Sequence, residues 1–99
     1  MRVVWSSYAA RQAVDAFDYL ALQRPGSGTR FKRALRTLTS RVGRFPRAYP
    51  RSPAEHRGEI RNALIRPYGY WVIYAIEDET VVILAIWPAQ REPGGWQVH

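Results

Sequence analysis

Histidine and arginine are the residues of this sequence whose side chains could transfer protons or bind phosphate. Its 99 residues include only two histidines, His56 and His99, and imidazole is the usual proton-transfer group near pH 7. His56 lies in a stretch rich in proline and arginine, and His99 is the last residue. The absence of cysteine excludes disulfides and thiolate ligands, and two histidines without ligand spacing do not form a metal site. The sequence therefore predicts no metal and no cofactor, so that any catalysis would be metal-independent.

Positive charge is concentrated in the middle of the sequence. The formal net charge is +7, and all but one of the 15 basic residues are arginines. No acidic residue occurs between Asp18 and Glu55, a stretch that contains Arg33 and Arg36. Clustered arginines are typical of surfaces that contact nucleic-acid phosphates or an acidic protein. An ordinary solvated surface is the alternative interpretation.

Tryptophans are the second group of candidate binding residues. Trp71, Trp87 and Trp96 all lie in the C-terminal third of the sequence. Large aromatic side chains either fill a core or form the centre of a protein-binding surface, and both interpretations remain open here. We expect Trp5 and Tyr74 to lie in the core.

The elements that must position these residues begin with a strand and a helix. Residues 2–5 form a short β-prone run, and Ser6 or Ser7 can cap the helix that follows. Apolar residues, Val14 among them, recur every three or four positions across residues 7–24. This spacing predicts an amphipathic helix whose apolar stripe faces the core.

A second amphipathic helix is predicted from residues 27–29 to about residue 42, with Gly43 at its C-terminal end. The short connection between the two helices predicts an antiparallel hairpin. Residues 44–58 contain three prolines and four arginines, which predicts a long loop without regular structure.

The C-terminal half of the sequence predicts three strands at 59–66, 70–76 and 81–87, separated by two tight turns. The fold class is therefore α+β: a short N-terminal strand, an antiparallel helical hairpin, and a three-stranded antiparallel meander that forms one sheet. Residues 1–99 are expected to form a single domain.

The apolar runs of the sequence are short. Residues 70–76 and 81–87 are the longest of them, whereas a membrane-spanning helix needs about twenty apolar residues. The apolar run near the N-terminus is too short for a signal peptide. We therefore expect a cytoplasmic protein without a membrane-spanning segment.

Several short motifs occur in a characteristic order along almost the whole chain. They are Val3-Val4-Trp5-Ser6, Gly43-Arg44-Phe45-Pro46, Arg61-Asn62-Ala63-Leu64, Tyr68-Gly69-Tyr70-Trp71-Val72-Ile73-Tyr74, Val81-Val82-Ile83-Leu84-Ala85-Ile86-Trp87, and Gln90-Arg91-Glu92-Pro93 followed by Trp96. In this order and spacing the sequence resembles the RelE/ParE toxin superfamily. The resemblance implies a toxin of a type II toxin–antitoxin pair that is bound by an antitoxin.

Two activities are implied by this resemblance: RelE-like members cut mRNA in the ribosome, and ParE-like members poison DNA gyrase. Arg91 matches the RelE-like arginine after the last strand, but Trp71 stands where the middle-strand arginine would fall. A C-terminal tyrosine is also missing. The sequence is therefore more similar to ParE-like members. This similarity implies that DNA gyrase is the partner and that the chain has no catalytic residues.

Two other functions are compatible with the sequence. One is a RelE-like ribosome-dependent mRNA endoribonuclease that uses Arg61, Arg91 and His99, with the ribosome and mRNA as partners. The other is an inactive module that only binds the antitoxin in a hetero-oligomer. The residues predicted to bind a partner or nucleic acid are Arg33, Arg36, Arg61, Trp71, Trp87, Arg91 and Trp96.

Overall fold

Two helices pack on one face of a four-stranded mixed sheet in a computed structural model that describes residues 1–52 and 58–98. The elements are β1 (Arg2–Trp5), α1 (Ser7–Gln23), α2 (Ser27–Arg44), β2 (Glu59–Ile65), β3 (Tyr70–Glu77), β4 (Thr80–Pro88) and a C-terminal 3₁₀ helix (Gly95–Val98). The sheet order is β1-β4-β3-β2. The predicted α+β fold and its antiparallel meander β2-β3-β4 are confirmed. In addition, β1 pairs in parallel with β4 as an edge strand.

The predicted helical hairpin is formed by α1 and α2, which are joined by residues 24–26 and pack against each other. Gly26 has φ +82°, a left-handed backbone that favours glycine and allows the chain to reverse. Gly43 does not end α2 as predicted, because the helix continues to Arg44. Gly43 is needed for close approach instead: an added Cβ would lie 2.9 Å from Val3 Cγ2. The Met1 amino group also donates a hydrogen bond of 2.7 Å to the Gly43 carbonyl, so α2 and β1 are held together there.

Ser6 joins β1, β4 and α1 through hydrogen bonds of its amide, its carbonyl and its hydroxyl. Its side-chain oxygen accepts the Ala9 amide at 3.0 Å and thereby caps α1. The same hydroxyl donates to the Leu84 carbonyl at 3.2 Å, and the Ser6 amide donates to the Ile83 carbonyl at 3.0 Å. The sequence predicted Ser6 or Ser7 as the N-cap of α1, and in the structure the N-cap is Ser6.

Replacing Ser6 with alanine is expected to lower the free energy of unfolding by about 1–2 kcal/mol, since both side-chain hydrogen bonds disappear. Urea denaturation followed by circular dichroism measures the change. Ser7→Ala is the matched control because Ser7 is exposed and belongs to the first turn of α1. Equal destabilisation by both substitutions would contradict the role of Ser6.

The main core lies between the helices and the sheet. Phe31 of α2 and Tyr74 of β3 are its largest fully buried side chains. The Tyr74 hydroxyl donates a hydrogen bond to the Pro46 carbonyl, which ties the segment after α2 to the centre of the sheet. Burial raises the pKa of Tyr74 to about 12.

Stability is expected to fall between pH 10 and pH 12. The folded-state pKa of Tyr74 lies above its value of about 10 in the unfolded chain, so the unfolded state loses its proton first as the pH rises. The stabilisation, on the order of 2 kcal/mol, is fully present below pH 10 and is lost through pH 12. Urea denaturation at several pH values measures it. Tyr74→Phe should reduce this alkaline loss, and an unchanged pH dependence in that variant would contradict the assignment.

A β-bulge at Leu84 determines which face of the sheet each side chain at the end of β4 occupies. Tyr74 lies opposite Ile83 and Ile73 lies opposite Ala85, so Leu84 has no partner in β3. The extra residue reverses the alternation of side chains. A second core therefore forms on the sheet face opposite α2, from Ile60, Ile73, Ala75, Ala85, Trp87 and Trp96.

Among the described residues, neither helix is both long and apolar enough to cross a membrane. The loop predicted at 44–58 is described up to Ser52 and from Gly58 onward. Part of it pairs with β2: the Asn62 amide donates to the Pro50 carbonyl and the Ser52 amide donates to the Ile60 carbonyl. This segment therefore covers part of the outer edge of β2, where the sequence had predicted no regular structure.

Candidate functional site

Arg61 has a structural role in the fold. It lies on β2, and its side chain is 15% exposed. Its Nε donates a hydrogen bond to Glu59 Oε2, and its Nη1 donates to the Tyr49 carbonyl. The hydrogen bond from Arg61 is the main reason that the pKa of Glu59 is lowered. Arg61 thus holds the segment before β2 against the sheet, and its guanidinium already has two partners.

Arg91 differs from Arg61 in having no ion pair with any described carboxylate. It is exposed, and its guanidinium carbon lies 5.5 Å from the centre of the Trp87 ring, within cation–π distance. The Arg91 amide donates to the Pro88 carbonyl, and Trp87 Nε1 donates to the Glu92 carbonyl at 2.9 Å. These contacts hold the turn after β4 and present an unpaired cation to solvent.

The two arginines of the ribonuclease alternative lie apart. Arg61 is opposite Tyr74 in the β2–β3 register, whereas Pro88, three residues before Arg91, is opposite Tyr70. Four residues of β3 separate these positions, a span of about 13 Å. His99, the third member of that set, lies outside the described residues, as does His56. The described residues therefore do not bring Arg61 and Arg91 together.

Arg91 lies beside a cleft of about 920 Å³ between α1 and the adjacent ends of β3 and β4. We call this the Arg91 cleft; its polar lining is Gln12, Asp15, Tyr19, Tyr68, Tyr70, Gln90 and Arg91. Burial raises the pKa of Tyr70, and the neighbouring Tyr19 acts in the same direction. Burial also raises the pKa of Tyr8, against the opposing effect of Arg91. The cleft therefore offers hydrogen bonds, aromatic faces, the Arg91 cation and the Asp15 carboxylate.

Gln12 fixes the floor of this cleft. Its Oε1 accepts the Ile86 amide at 2.9 Å, so α1 satisfies a β4 backbone group beyond the end of β1. The arrangement can bind a polar or acidic surface of a macromolecule.

The three tryptophans predicted to face a partner lie on one side of the sheet. Trp87 and Trp96 are only 7% and 8% exposed and belong to the second core. Trp71 is half-buried and lies opposite Trp87 in the register. An added Cβ at Gly95 would lie 2.6 Å from the Trp87 ring, so the 3₁₀ helix packs tightly there. Of the two interpretations left open by the sequence, the structure places Trp87 and Trp96 in a core, and their contribution to partner binding stays a prediction.

An open apolar groove lies between α1, α2 and the end of β1, with a volume of about 500 Å³. We call it the hairpin groove; it is lined by Trp5, Ala10, Ala13, Val14, Phe17, Phe31, Lys32, Leu35, Arg36 and Thr39. Val14 is 58% exposed and Trp5 is 38% exposed, although both were predicted to face the core. Only part of the apolar face of α1 is buried against the fold, chiefly Ala9 and Ala16. Ala13 and Leu20 are partly buried against the core, whereas Val14 is open to solvent.

Periodicity did not distinguish the hairpin groove from the core, because an apolar stripe has the same spacing whether it packs on the fold or on a partner. The feature of the sequence that could have indicated a groove is the width of the apolar stripe on α1. Arg33 and Arg36 are both exposed on α2, as a binding role requires. Arg36 lies at the edge of the hairpin groove.

The mixed sheet and the helical hairpin that covers one of its faces define a small α+β protein with the RelE/ParE toxin fold. A sequence model of the ParE toxin of the type II toxin–antitoxin system parDE matches residues 3–93. The chain belongs to this family.

A solved structure supports the fold. The chain is similar to a chain of the chromosomal ParDE toxin–antitoxin system from P. aeruginosa, with a TM-score of 0.64 and 15% sequence identity. The similarity covers 91% of this chain and 97% of that chain. No curated protein sequence matches.

Proposed function

We propose that this ParE-family toxin inhibits growth by binding DNA gyrase and that a cognate antitoxin neutralises it in the cytoplasm. The observation that carries the proposal is the match to the ParE toxin family across residues 3–93. Binding is favoured over RNA cleavage because Arg61 and Arg91 lie apart and Arg61 is engaged in the fold.

The Arg91 cleft is our proposed gyrase-binding surface. Arg91 is an exposed cation near the Trp87 ring, without a carboxylate partner among the described residues, and three tyrosines line the same cleft. Arginine and tyrosine are enriched among the residues that contribute most of the energy at protein interfaces. An acidic or polar patch of gyrase would complement this surface.

The hairpin groove is our proposed antitoxin-binding surface. Its apolar lining suits the apolar face of an amphipathic segment, while Lys32 and Arg36 at its edge favour acidic residues on that segment. Two surfaces would allow the antitoxin and gyrase to be recognised by different residues of one small toxin. The toxin and antitoxin would then form a hetero-oligomer.

Purified gyrase provides the decisive test. We expect the protein to inhibit supercoiling of relaxed plasmid and to increase cleaved DNA trapped on gyrase, and we expect the antitoxin encoded by the adjacent reading frame to reverse both effects. The same preparation is added to translating ribosomes as a parallel reaction.

Cleavage of ribosome-bound mRNA, with gyrase unaffected, would replace this proposal by the endoribonuclease alternative. Tight antitoxin binding with neither activity would leave an inactive antitoxin-binding module.

A further inference from the structure

The outer face of α2 carries a continuous set of hydrogen-bond donors and positive charges. It consists of Thr29, Arg33, Arg36, Thr37, Ser40 and Arg44, and every one of them is exposed. Their spacing of one, three or four residues keeps them on one side of the helix. The buried residues of α2, among them Phe31, Leu35 and Val42, lie on the other side.

This face belongs to a larger basic surface. Between Asp18 and Glu55 the sequence has nine basic residues and no acidic ones, and all nine are exposed in the structure. Within the described residues, Arg47 is the one member of this set that forms an ion pair, with Glu59 at 3.5 Å. Such an accumulation of unpaired charge is self-repulsive and is relieved by a polyanion.

The composition of the outer face distinguishes between possible polyanions. The central region of a protein interface is usually apolar or aromatic, whereas this face has no apolar side chain. Arginine, serine and threonine are residues that hydrogen-bond to DNA phosphates. The face also has no aromatic side chain on which the bases of a single strand could stack.

The dimensions of α2 agree with duplex DNA. Its 18 residues extend over about 27 Å, and the major groove of B-DNA, about 12 Å wide, admits an α-helix. The major groove of duplex RNA is too narrow for such an approach. We propose that the outer face of α2 binds the phosphate backbone of duplex DNA directly, without gyrase or antitoxin.

The test measures binding of the full-length protein alone to a fluorescently labelled 20-base-pair DNA duplex, by fluorescence anisotropy at several salt concentrations. We expect dissociation constants of about 1–100 µM near 0.1 M salt, with the logarithm of affinity falling linearly with the logarithm of salt concentration. In the double variant Arg33→Gln with Arg36→Gln, the slope should decrease in magnitude by about 1.8, which is 0.9 per lost phosphate contact. At 0.1 M salt each lost contact should weaken binding roughly tenfold.

The double variant Arg11→Gln with Arg66→Gln is the matched control, because it removes the same charge at exposed positions outside this face. It should retain the slope and most of the affinity. Circular dichroism should show both variants folded, since glutamine has nearly the same helix propensity as arginine.

Equal losses in the two variants would show that only net charge matters and would overturn the proposal. It would also be overturned by the absence of binding at 0.05 M salt, or by tighter binding of single-stranded DNA or of duplex RNA of the same sequence. Because gyrase is absent from this test, its outcome is independent of the gyrase proposal.

Discussion

Replacing Val14 with glutamate is expected to weaken antitoxin binding by about 100-fold or more while the toxin remains active. Val14 is 58% exposed and lines the hairpin groove, so the change alters the surface and leaves the core intact. An antitoxin segment that covers the groove would bury the new carboxylate among apolar side chains. The penalty for an unpaired buried charge, about 3 kcal/mol or more, corresponds to this loss of affinity. Titration calorimetry with the purified antitoxin measures it.

Leu22→Glu provides the control for this experiment. Leu22 lies on the same helix and is 87% exposed, but it does not line the groove. Its substitution introduces the same charge and should change the affinity by less than about threefold, as expected for a surface position outside an interface. If Val14→Glu retains full affinity, or if both variants lose affinity equally, the antitoxin binds elsewhere.

Replacing Arg91 with alanine is expected to weaken gyrase inhibition by about 30-fold or more while antitoxin affinity is unchanged. Removing an arginine from the centre of an interface weakens the binding free energy by about 2 kcal/mol or more, because its partner groups are left unpaired. Arg91 is exposed and has no carboxylate partner among the described residues, so its guanidinium is available to a partner. The loss of its contact with Trp87 should lower the free energy of unfolding by no more than about 1 kcal/mol. The concentration that halves gyrase supercoiling measures the effect.

Arg66→Ala is the matched control for Arg91→Ala. Arg66 is exposed in the turn between β2 and β3, and it does not line the Arg91 cleft. It removes the same charge and should leave gyrase inhibition within about threefold of the original protein. Full inhibition by the Arg91 variant would exclude the cleft as the gyrase surface, and a parallel loss of antitoxin affinity would assign Arg91 to the antitoxin instead.

The secondary structure was largely predictable from local sequence. The apolar stripe of α2 contains Phe31, Leu35 and Val42, and all three are buried as their spacing predicted. The three strands of the meander also form where aromatic and β-branched residues alternate between turns. In these elements, the positions that the spacing of apolar residues assigns to one face are the positions that are buried.

The candidate surfaces were harder to predict, because exposure depends on what covers an apolar residue. Trp5 and Val14 have the same apolar character as core residues, yet within residues 1–52 and 58–98 they remain exposed beside an open groove. Trp87 and Trp96 were candidates for a binding surface because they are large aromatic residues. In the structure the 3₁₀ helix that contains Trp96 packs on the sheet, and both side chains are buried. Arg61 and Arg91 had equal standing as candidate cations, and only the proximity of Glu59 and Tyr49 to Arg61 separated them.

The order and type of the elements, the basic character of α2 and the likeness to the RelE/ParE superfamily all follow from the amino-acid sequence. The tertiary structure decided the parallel pairing of β1 with β4, the bulge at Leu84 and the presence of Gly43 inside α2. The physical reason is the range of the interactions. Helix and strand periods arise from neighbours a few residues apart, whereas strand pairing, a bulge or a close helix–strand contact depends on residues distant in the chain. These long-range contacts determine which side chains remain open to a partner.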